Sequence, residues 1–276
     1  MKILGKFLVI IFIFLGMYSV AYTQNVNTCG VVNNAFVVGE KVVYEMSYTW
    51  LFVWTDVGQV EFTVSADKRF GKDLLHLKAT GKSYTFYDWF FKVRDLYESW
   101  VDPVTLSPYY FNRDIYEGGF TKENEYRFNW DTNELFVRVR RKKKANRYDT
   151  LKIDKCSYDV VTAIYIGRNL DFSNVKPGKV FPVAAIMDET VYNVGYRFLG
   201  REEKDVPGLG KLPCLKFQVD VVAGDIFKGD QKIYVWVTDD KNKLPVLIES
   251  PIRVGSVMAR VKSVSGLKYP TLIKSK

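Results

Sequence analysis

Polar and apolar side chains alternate along most of the chain beyond residue 40, and this pattern constrains the fold more than any other feature. Between Val42 and Trp50, every second residue is large and apolar, while Glu45, Ser47 and Thr49 occupy intervening positions. A period of two places successive side chains on opposite faces of a β-strand. The same pattern predicts strands at 60–66, 75–80, 93–101, 109–117, 122–130, 134–142, 147–153, 189–199, 212–222, 231–238, 244–249 and 256–264. Because one face of each strand is polar, antiparallel pairing with a solvated face is favoured over a fully buried parallel sheet.

One segment, residues 157–169, departs from this alternation and predicts the principal α-helix. Its long or apolar side chains recur at intervals of three and four, at Val160, Val161, Ile164, Tyr165 and Arg168. Ser157 is in position to cap the helix, and Asp159 and Arg168 carry the charges that suit its two ends. About a dozen strands with one amphipathic helix predict a mainly β fold. We expect a strongly curved antiparallel sheet or barrel with this helix packed on its concave face.

The N-terminus has the three parts of a secretory signal peptide. Lys2 and Lys6 supply positive charge, an apolar run extends from Phe7 to Met17, and Ser19-Val20-Ala21 supplies a small-x-small cleavage site. We therefore predict a periplasmic or otherwise exported protein. An uncleaved anchor is less favoured, because the run is shorter than the about 18 apolar residues that span a bilayer. Lipid attachment at Cys29 is also less favoured, because a polar stretch separates this cysteine from the apolar run.

The remaining sequence predicts one large domain. Residues 1–21 form the predicted signal peptide, 22–35 a loosely ordered N-terminal segment, and 36–270 a single β-rich domain. If the domain has two lobes, their boundary is expected near 171–178, which ends in Pro177-Gly178. Export removes two positive charges from a formal net charge of +9. The mature protein stays basic, which suits either solubility or binding to anionic surfaces.

Three cysteines, Cys29, Cys156 and Cys214, follow the predicted cleavage site. An exported protein meets oxidising conditions, so one disulfide and one free thiol are expected. All three pairings are open, and we favour Cys156 with Cys214 because both lie beside predicted regular elements. The chain has a single histidine, His76, and no closely spaced pair of cysteines. We therefore predict no metal site and no cofactor.

Two aromatic clusters are the densest apolar features of the chain. Six of the eight residues from Tyr84 to Phe91 are aromatic, and a second cluster runs from Trp50 to Trp54. Together they predict the wall or lid of an apolar pocket for an acyl chain or similar ligand. The alternative is ordinary core packing next to a hairpin turn. The candidate ligand-binding residues are Trp50, Phe52, Trp54, Phe86, Tyr87, Trp89 and Phe90.

Charged residues supply weaker candidates. The carboxylates Asp88, Asp95, Glu98, Asp114 and Glu117 would suit glycoside hydrolysis if two faced each other across a groove. Neighbouring arginines favour ion pairs on strand surfaces instead. The strongest basic run comprises Arg138, Arg140, Arg141, Lys142, Lys143 and Lys144. It could bind phosphates, although a solvated hairpin tip or a charge-protected edge strand is the favoured interpretation. No Gly-x-Ser-x-Gly motif accompanies His76, so serine–histidine catalysis has no support.

Four segments carry a resemblance to a known family. They are Phe36-x-x-Gly39-Glu40-Lys41-x-x-Tyr44, residues 84–100 around Asp-Trp-Phe-Phe-Lys-Val-Arg-Asp, residues 159–172, and residues 235–246 followed by Val254-Gly255-Ser256. Together they resemble the domain-of-unknown-function family 3108 (DUF3108), exported proteins of Gram-negative bacteria. This resemblance spans residues 36–267 and implies no activity and no catalytic residues. The Val-Trp-Val-Thr-Asp-Asp hairpin also resembles those of lipoprotein-carrier half-barrels, which implies a curved sheet around an acyl cavity.

These observations favour a binding protein over an enzyme. The leading hypothesis is a monomeric periplasmic protein that binds or carries an apolar or amphipathic envelope component, such as a lipid. The alternative is a structural or interaction protein with an envelope protein as its partner, and a carboxylate-based envelope hydrolase is a third hypothesis. No nucleic-acid partner is expected.

Overall fold

We analysed a computed structural model of the chain, which describes residues 30–50, 53–142, 144–221, 232–251 and 256–273. The predicted signal peptide and Cys29 lie outside the described residues. The strands are β1 (Lys41–Trp50), β2 (Val53–Arg69), β3 (Lys72–Ser83), β4 (Val93–Val101), β5 (Pro108–Glu117), β6 (Phe120–Asn129), β7 (Glu134–Arg141), β8 (Arg147–Lys152), β9 (Ser157–Asp159), β10 (Val180–Met187), β11 (Thr190–Val206), β12 (Gly210–Val221), β13 (Ile233–Thr238), β14 (Pro245–Pro251) and β15 (Ser256–Ser265). The helices are α1 (Asp88–Phe91), which follows a 3₁₀ turn at Thr85–Tyr87, and α2 (Val160–Arg168). Among the described residues, no helix is long and apolar enough to cross a membrane.

All the strands belong to one fifteen-stranded sheet, which confirms the predicted mainly β fold. The first eight strands form a meander from β1 outward to β8, and the remaining strands run from β9 back to β15, which pairs with β1. Neighbouring strands are antiparallel, as predicted, except for the short parallel pair of β9 and β10. The described strands leave two open edges, β8 and β9, so the sheet is not a closed barrel.

The sheet is strongly curved. Strand β9 contacts β5, and helix α2 contacts β3, β4, β9 and β10, although these strands lie far apart in the sheet order. The β9 and β10 end of the sheet therefore folds back over the inner face of β3 to β5. Register shifts mark several β-bulges, for example between Val43 and Tyr44 on β1 and between Phe198 and Gly200 on β11. Bulges bend strands and increase their twist, which accounts for part of this curvature.

Ion pairs hold the fold-back in place. The turn between β10 and β11 consists of Asp188 and Glu189, which have φ angles of +48° and +61°. Type I′ turns require this left-handed backbone at both central positions, where Gly or Asn is usual. Lys122 on β6 is buried and lies 2.5 Å from Asp188 Oδ1 and 3.2 Å from Glu189 Oε1. Arg113 on β5 donates to the same Asp188 oxygen at 2.9 Å.

Helix α2 is enclosed more completely than its amphipathic pattern predicts. Its N-cap is Asp159, whose carboxylate accepts the N–H groups of Val161 and Thr162 at 3.0 and 2.9 Å, whereas Ser157 belongs to β9. Thr162, which lies off the apolar stripe predicted from the sequence, is 0 % exposed, and Ile164, which lies on that stripe, is 42 % exposed. Thr162 is buried because the helix contacts strands on several sides, including β4, where Ser99 Oγ lies 2.9 Å from Thr162 Oγ1.

Two further expectations differ from the structure. Cys214 is a free, buried thiol, while Cys156 is disulfide-bonded, so the favoured Cys156–Cys214 bridge was wrong. The two residues pack in different core clusters, which keeps them apart. Within the segment expected to be loosely ordered, residues 34 and 35 form hydrogen bonds with the end of helix α2. The Asn169 side chain accepts the N–H groups of Asn34 and Ala35 at 2.7 and 3.0 Å, and Ala35 is buried.

Candidate functional site: an apolar cavity inside the curved sheet

The space enclosed by the curved sheet and helix α2 contains a cavity of about 660 Å³. Its walls come from β1 and β2, from α2, and from β10 to β15. The alternation of β1 explains one wall, because Val42, Tyr44 and Met46 share the inner face of that strand. On the helix, Ala163 and Ile164 line the opposite wall. The exposed fraction of Ile164 is thus surface that faces the cavity.

Aromatic rings shape the interior of the cavity. Tyr44 and Phe62 meet edge to face, with ring centroids 5.7 Å apart, and Tyr165 lies 6.5 Å beyond Phe62. Tyr196 approaches the helix at Gly167, where an added Cβ would come within 3.3 Å of its ring. Burial raises the pKa of Tyr196 to about 12, so this hydroxyl stays neutral in the physiological range. The walls are therefore apolar or neutral over most of their extent.

A buried ion pair closes one end of the cavity. Arg168 at the end of α2 and Glu40 just before β1 are 4 % and 1 % exposed, and Arg168 Nη2 lies 2.9 Å from Glu40 Oε2. Arg168 Nε also donates to the carbonyl oxygen of Asn242 at 3.1 Å. Burial opposes the charge of Arg168, but the hydrogen bonds and negative charge of Glu40 outweigh it and raise the pKa of the guanidinium. Both charges are thereby compensated within the protein.

Lys243 is the third charged residue at this end, which we call the Lys243 end. Its ammonium donates to the carbonyl oxygen of Leu170 at 2.7 Å and lies 5.6 Å from the centre of the Phe172 ring. Burial lowers the pKa of Lys243, and the charge of nearby Asp171 opposes this only in part. Lys243 also borders a polar cleft of about 390 Å³, whose lining includes Arg201, Lys241, Asp171, Asp239 and Asp240. This cation therefore stands between the apolar cavity and the polar cleft.

The opposite end of the cavity lies near the ends of several strands, and we call it the Met46 end. Met46 on β1, Met187 on β10, Ser250 on β14 and Val257 on β15 line it. On β14, Pro245 lines the Lys243 end and Ser250, five residues further along the strand, lines the Met46 end. At about 3.3 Å per strand residue, the cavity extends for roughly 17 Å along the strands.

Comparison with known proteins places this chain in a family. The sequence model of the family described as "Protein of unknown function (DUF3108)" matches residues 43–262. The chain belongs to the DUF3108 family. This confirms the resemblance that the sequence motifs indicated. No curated protein matches the chain.

Among solved structures, this DUF3108 protein is similar to a "beta-barrel-like protein of domain of unknown function DUF1849" from Brucella abortus. The TM-score is 0.54 at 7 % identity, over 84 % of this chain and 98 % of that chain. A second structure is titled "a putative lipoprotein from Parabacteroides distasonis", with a TM-score of 0.32 at 11 % identity, over 83 % of this chain and 96 % of that one. The first similarity supports the barrel-like fold alone.

The aromatic residues predicted to form the pocket lie elsewhere in this DUF3108 structure. Trp54, Phe86, Trp89 and Phe90 are exposed, and none is among the described residues that line the cavity. Tyr87 is half-buried, with its hydroxyl 2.8 Å from Thr55 Oγ1. Phe52 lies outside the described residues, and the structure describes only the backbone of Trp50. The 3₁₀ turn and α1, which carry Phe86, Trp89 and Phe90, connect β3 to β4.

The candidate carboxylates do not form a hydrolytic pair in this cavity. Asp88 binds Arg94 at 2.5 Å, and Glu98 lies 3.1 Å from His76 Nε2. Burial and the charge of nearby Glu117 raise the pKa of Asp95 to about 6, and Asp95 Oδ1 accepts the N–H of Tyr116 at 3.2 Å. Neither Asp95 nor Glu117 lines the cavity or the polar cleft.

The basic run ends β7 and forms the turn into the edge strand β8. Arg138 and Arg140 pair with Glu125 and Glu123 on β6. Lys142 and Lys144 are exposed in the turn, and Lys143 lies outside the described residues. Arg141 completes β7. This arrangement is that of a solvated hairpin tip next to an edge strand.

The sequence interpretation missed the charged end of the cavity. Glu40 and Lys243 lay within the family motifs without an assigned role, and Arg168 was assigned to the helix dipole. One signal was available: a charged residue on an otherwise apolar helical stripe requires a buried partner.

Proposed function

We propose that this DUF3108 protein is an exported binding protein that holds the apolar chain of an envelope amphiphile in the cavity. The observation that carries this proposal is an interior of about 660 Å³ lined almost wholly by apolar and neutral side chains. Pockets of this size and lining are typical of small-molecule sites. Export rests on the N-terminal sequence pattern, and a lipid-rich compartment would supply such ligands.

Displacement of a fluorescent acyl probe tests this function. Purified mature protein is expected to bind the probe, and native mass spectrometry of protein isolated from a cell envelope is expected to find a bound lipid. The substitution Ile164→Trp fills the cavity and should weaken probe binding at least tenfold. Val191→Trp is a matched control, because Val191 is similarly exposed, at 39 % against 42 %, but does not line the cavity. A folded protein that binds no probe and carries no lipid would contradict the proposal.

A second candidate function is an interaction with another envelope component through the exposed aromatic residues. Phe86, Trp89 and Phe90 are 75 %, 81 % and 78 % exposed, and we call these three residues the aromatic patch. Exposed apolar clusters of this kind mark interaction surfaces. Lys82 and Lys92 are exposed nearby. Aromatic and basic side chains together suit the surface of an anionic bilayer.

The register of the sheet brings this patch level with the Met46 end of the cavity. Gly58 on β2 pairs with Met46 on one side and with Ser83, just before the patch, on the other. Co-sedimentation with vesicles of phosphatidylcholine, with and without phosphatidylglycerol, tests the interaction. The double substitution Trp89→Ser and Phe90→Ser should abolish binding to the anionic vesicles. Crosslinking in cells to one dominant protein, without vesicle binding, would favour a protein partner instead.

A further inference from the structure

The charges that line the cavity do not balance. The lining contains three charged side chains among the described residues, Glu40, Arg168 and Lys243. Glu40 and Arg168 neutralise each other in a bidentate pair. Lys243 leaves one uncompensated positive charge at the Lys243 end. An unpaired charge in apolar surroundings is unfavourable, so this end of the cavity is electrostatically suited to an anion.

The ammonium group of Lys243 can donate further hydrogen bonds. An ammonium group has three donors, and the described contacts of Lys243 Nζ are one hydrogen bond, to the carbonyl oxygen of Leu170, and the face of the Phe172 ring. Among the described residues, no carboxylate lies within ion-pair distance of it. The negative charge of Asp171 acts on Lys243. The Asp171 carboxylate itself accepts hydrogen bonds from the N–H and the hydroxyl of Ser173 at 2.9 and 2.7 Å.

The backbone holds Lys243 in place before any ligand binds. Asp240 Oδ1 accepts the N–H groups of Asn242 and Lys243 at 2.9 and 3.1 Å. The Asn242 side chain in turn donates to the carbonyl oxygen of Tyr269 at 3.1 Å and accepts its N–H at 3.0 Å. Lys243 has a left-handed backbone, with φ +45°. A preorganised donor binds an anion with less loss of conformational entropy.

We propose that the ligand of this cavity is an amphiphile with an anionic head group, a carboxylate or a phosphate, which binds Lys243. This inference rests on the proposed acyl-binding function and adds the chemistry and orientation of the ligand. The head group lies at the Lys243 end, and the apolar chain extends along β1 and β14 toward the Met46 end. The polar cleft on the other side of Lys243 provides space and polar groups for a head group larger than a carboxylate.

Matched C12 ligands below their critical micelle concentrations test this assignment: dodecanoate, dodecyl phosphate and uncharged dodecanol. We expect wild-type protein to bind at least one of the two anions about tenfold more tightly than dodecanol, as a charge-assisted hydrogen bond predicts. Lys243→Met should remove that preference without changing dodecanol binding, and Lys243→Arg should retain it. Lys241→Met is the control, because Lys241 borders the polar cleft but not the cavity.

Each result decides one question. Tighter binding of one anion identifies a carboxylate or a phosphate as the better head group. Equal binding of dodecanol and both anions by wild type, or an anion preference that survives Lys243→Met, overturns this inference and leaves the acyl-binding function intact. Failure of wild type to bind any of the three ligands overturns the acyl-binding function itself. Urea midpoints of all variants establish that they are folded when binding is measured.

Discussion

Lys122 on β6 and Asp188 in the β10–β11 turn form an ion pair across the interior of the sheet, with Nζ and Oδ1 2.5 Å apart. The two residues are far apart in the sheet order, so their contact fixes how far the sheet curls. Burial opposes the negative charge of Asp188, but Lys122 and Arg113 outweigh it and lower the pKa of this carboxyl. Without these cations, the left-handed turn at Asp188 and Glu189 would carry two partly buried negative charges.

We therefore predict that Lys122→Met is strongly destabilising. Removing one partner of a buried ion pair leaves the other uncompensated, which costs about 3 kcal/mol. Lys152→Met is the matched control, since the Lys152 side chain is 78 % exposed in its pair with Glu134 and should change stability by less than about 0.5 kcal/mol. Urea midpoints measure both. Equal, small shifts would mean that the ion pair does not hold the fold-back.

The environment of α2 gives a second prediction. Thr162 is fully buried, and its hydroxyl donates to Asp159 Oδ2 at 2.7 Å. Thr162→Asp would bring a second carboxylate against Asp159 in a buried site, at a cost of several kcal/mol. Ile164→Asp introduces its charge at the cavity surface and should cost less, about 1–2 kcal/mol, while weakening acyl-probe binding. Urea midpoints with Ile164→Asp as the less stable variant would contradict this account.

Local sequence patterns predicted much of the strand content because alternation is a property of each strand by itself. The wall formed by Val42, Tyr44 and Met46 follows from that alternation. Strand β10 escaped prediction because Val180 to Met187 is a continuous apolar run interrupted by Pro182. Such a run has no period that separates strand from helix. Strand β9 has only three residues, which is too short for any periodic signal.

The cavity itself could not be predicted in the same way. Its closed end depends on Arg168 and Glu40, which are 128 positions apart in the chain. No local period links such residues, and their contact exists only because the sheet curls. The aromatic patch illustrates the converse case. Aromatic clusters usually indicate core packing, but residues 84–91 form the connection between β3 and β4, and Trp89 in it is 81 % exposed.

The free thiol of Cys214 gives a third prediction. This residue is 1 % exposed and packs in the same core cluster as Leu212 and Trp236. Burial, assisted by the charge of Glu202, raises the pKa of the thiol to about 11. Because the thiolate is the reactive form, native protein should not react with Ellman's reagent at pH 8, and one thiol per chain should react in guanidinium. Rapid reaction of the native protein, or three thiols after unfolding, would contradict this disulfide assignment.

Asp95 gives the last prediction, which concerns pH. The pKa of Asp95 rises from 3.8 to about 6 on folding, because burial and the charge of Glu117 disfavour its ionised form. The folded state therefore binds a proton more tightly than the unfolded state, and stability falls as pH rises from about 4 to about 6. Asp95→Asn removes this ionisation and retains an amide oxygen that can accept the N–H of Tyr116. Since Asp95 is only half-buried, solvent screening reduces the expected gain at pH 7.5 to about 1 kcal/mol.

Urea midpoints of wild type and Asp95→Asn at pH 4, 5.5 and 7.5 measure this effect. The two proteins should have similar stability at pH 4, where Asp95 is largely protonated in the folded state, and the variant should gain progressively above that pH. Asp73→Asn controls for the general loss of a carboxylate, because the Asp73 side chain is 89 % exposed. A gain that is independent of pH, or a loss at pH 7.5, would contradict the raised pKa of Asp95.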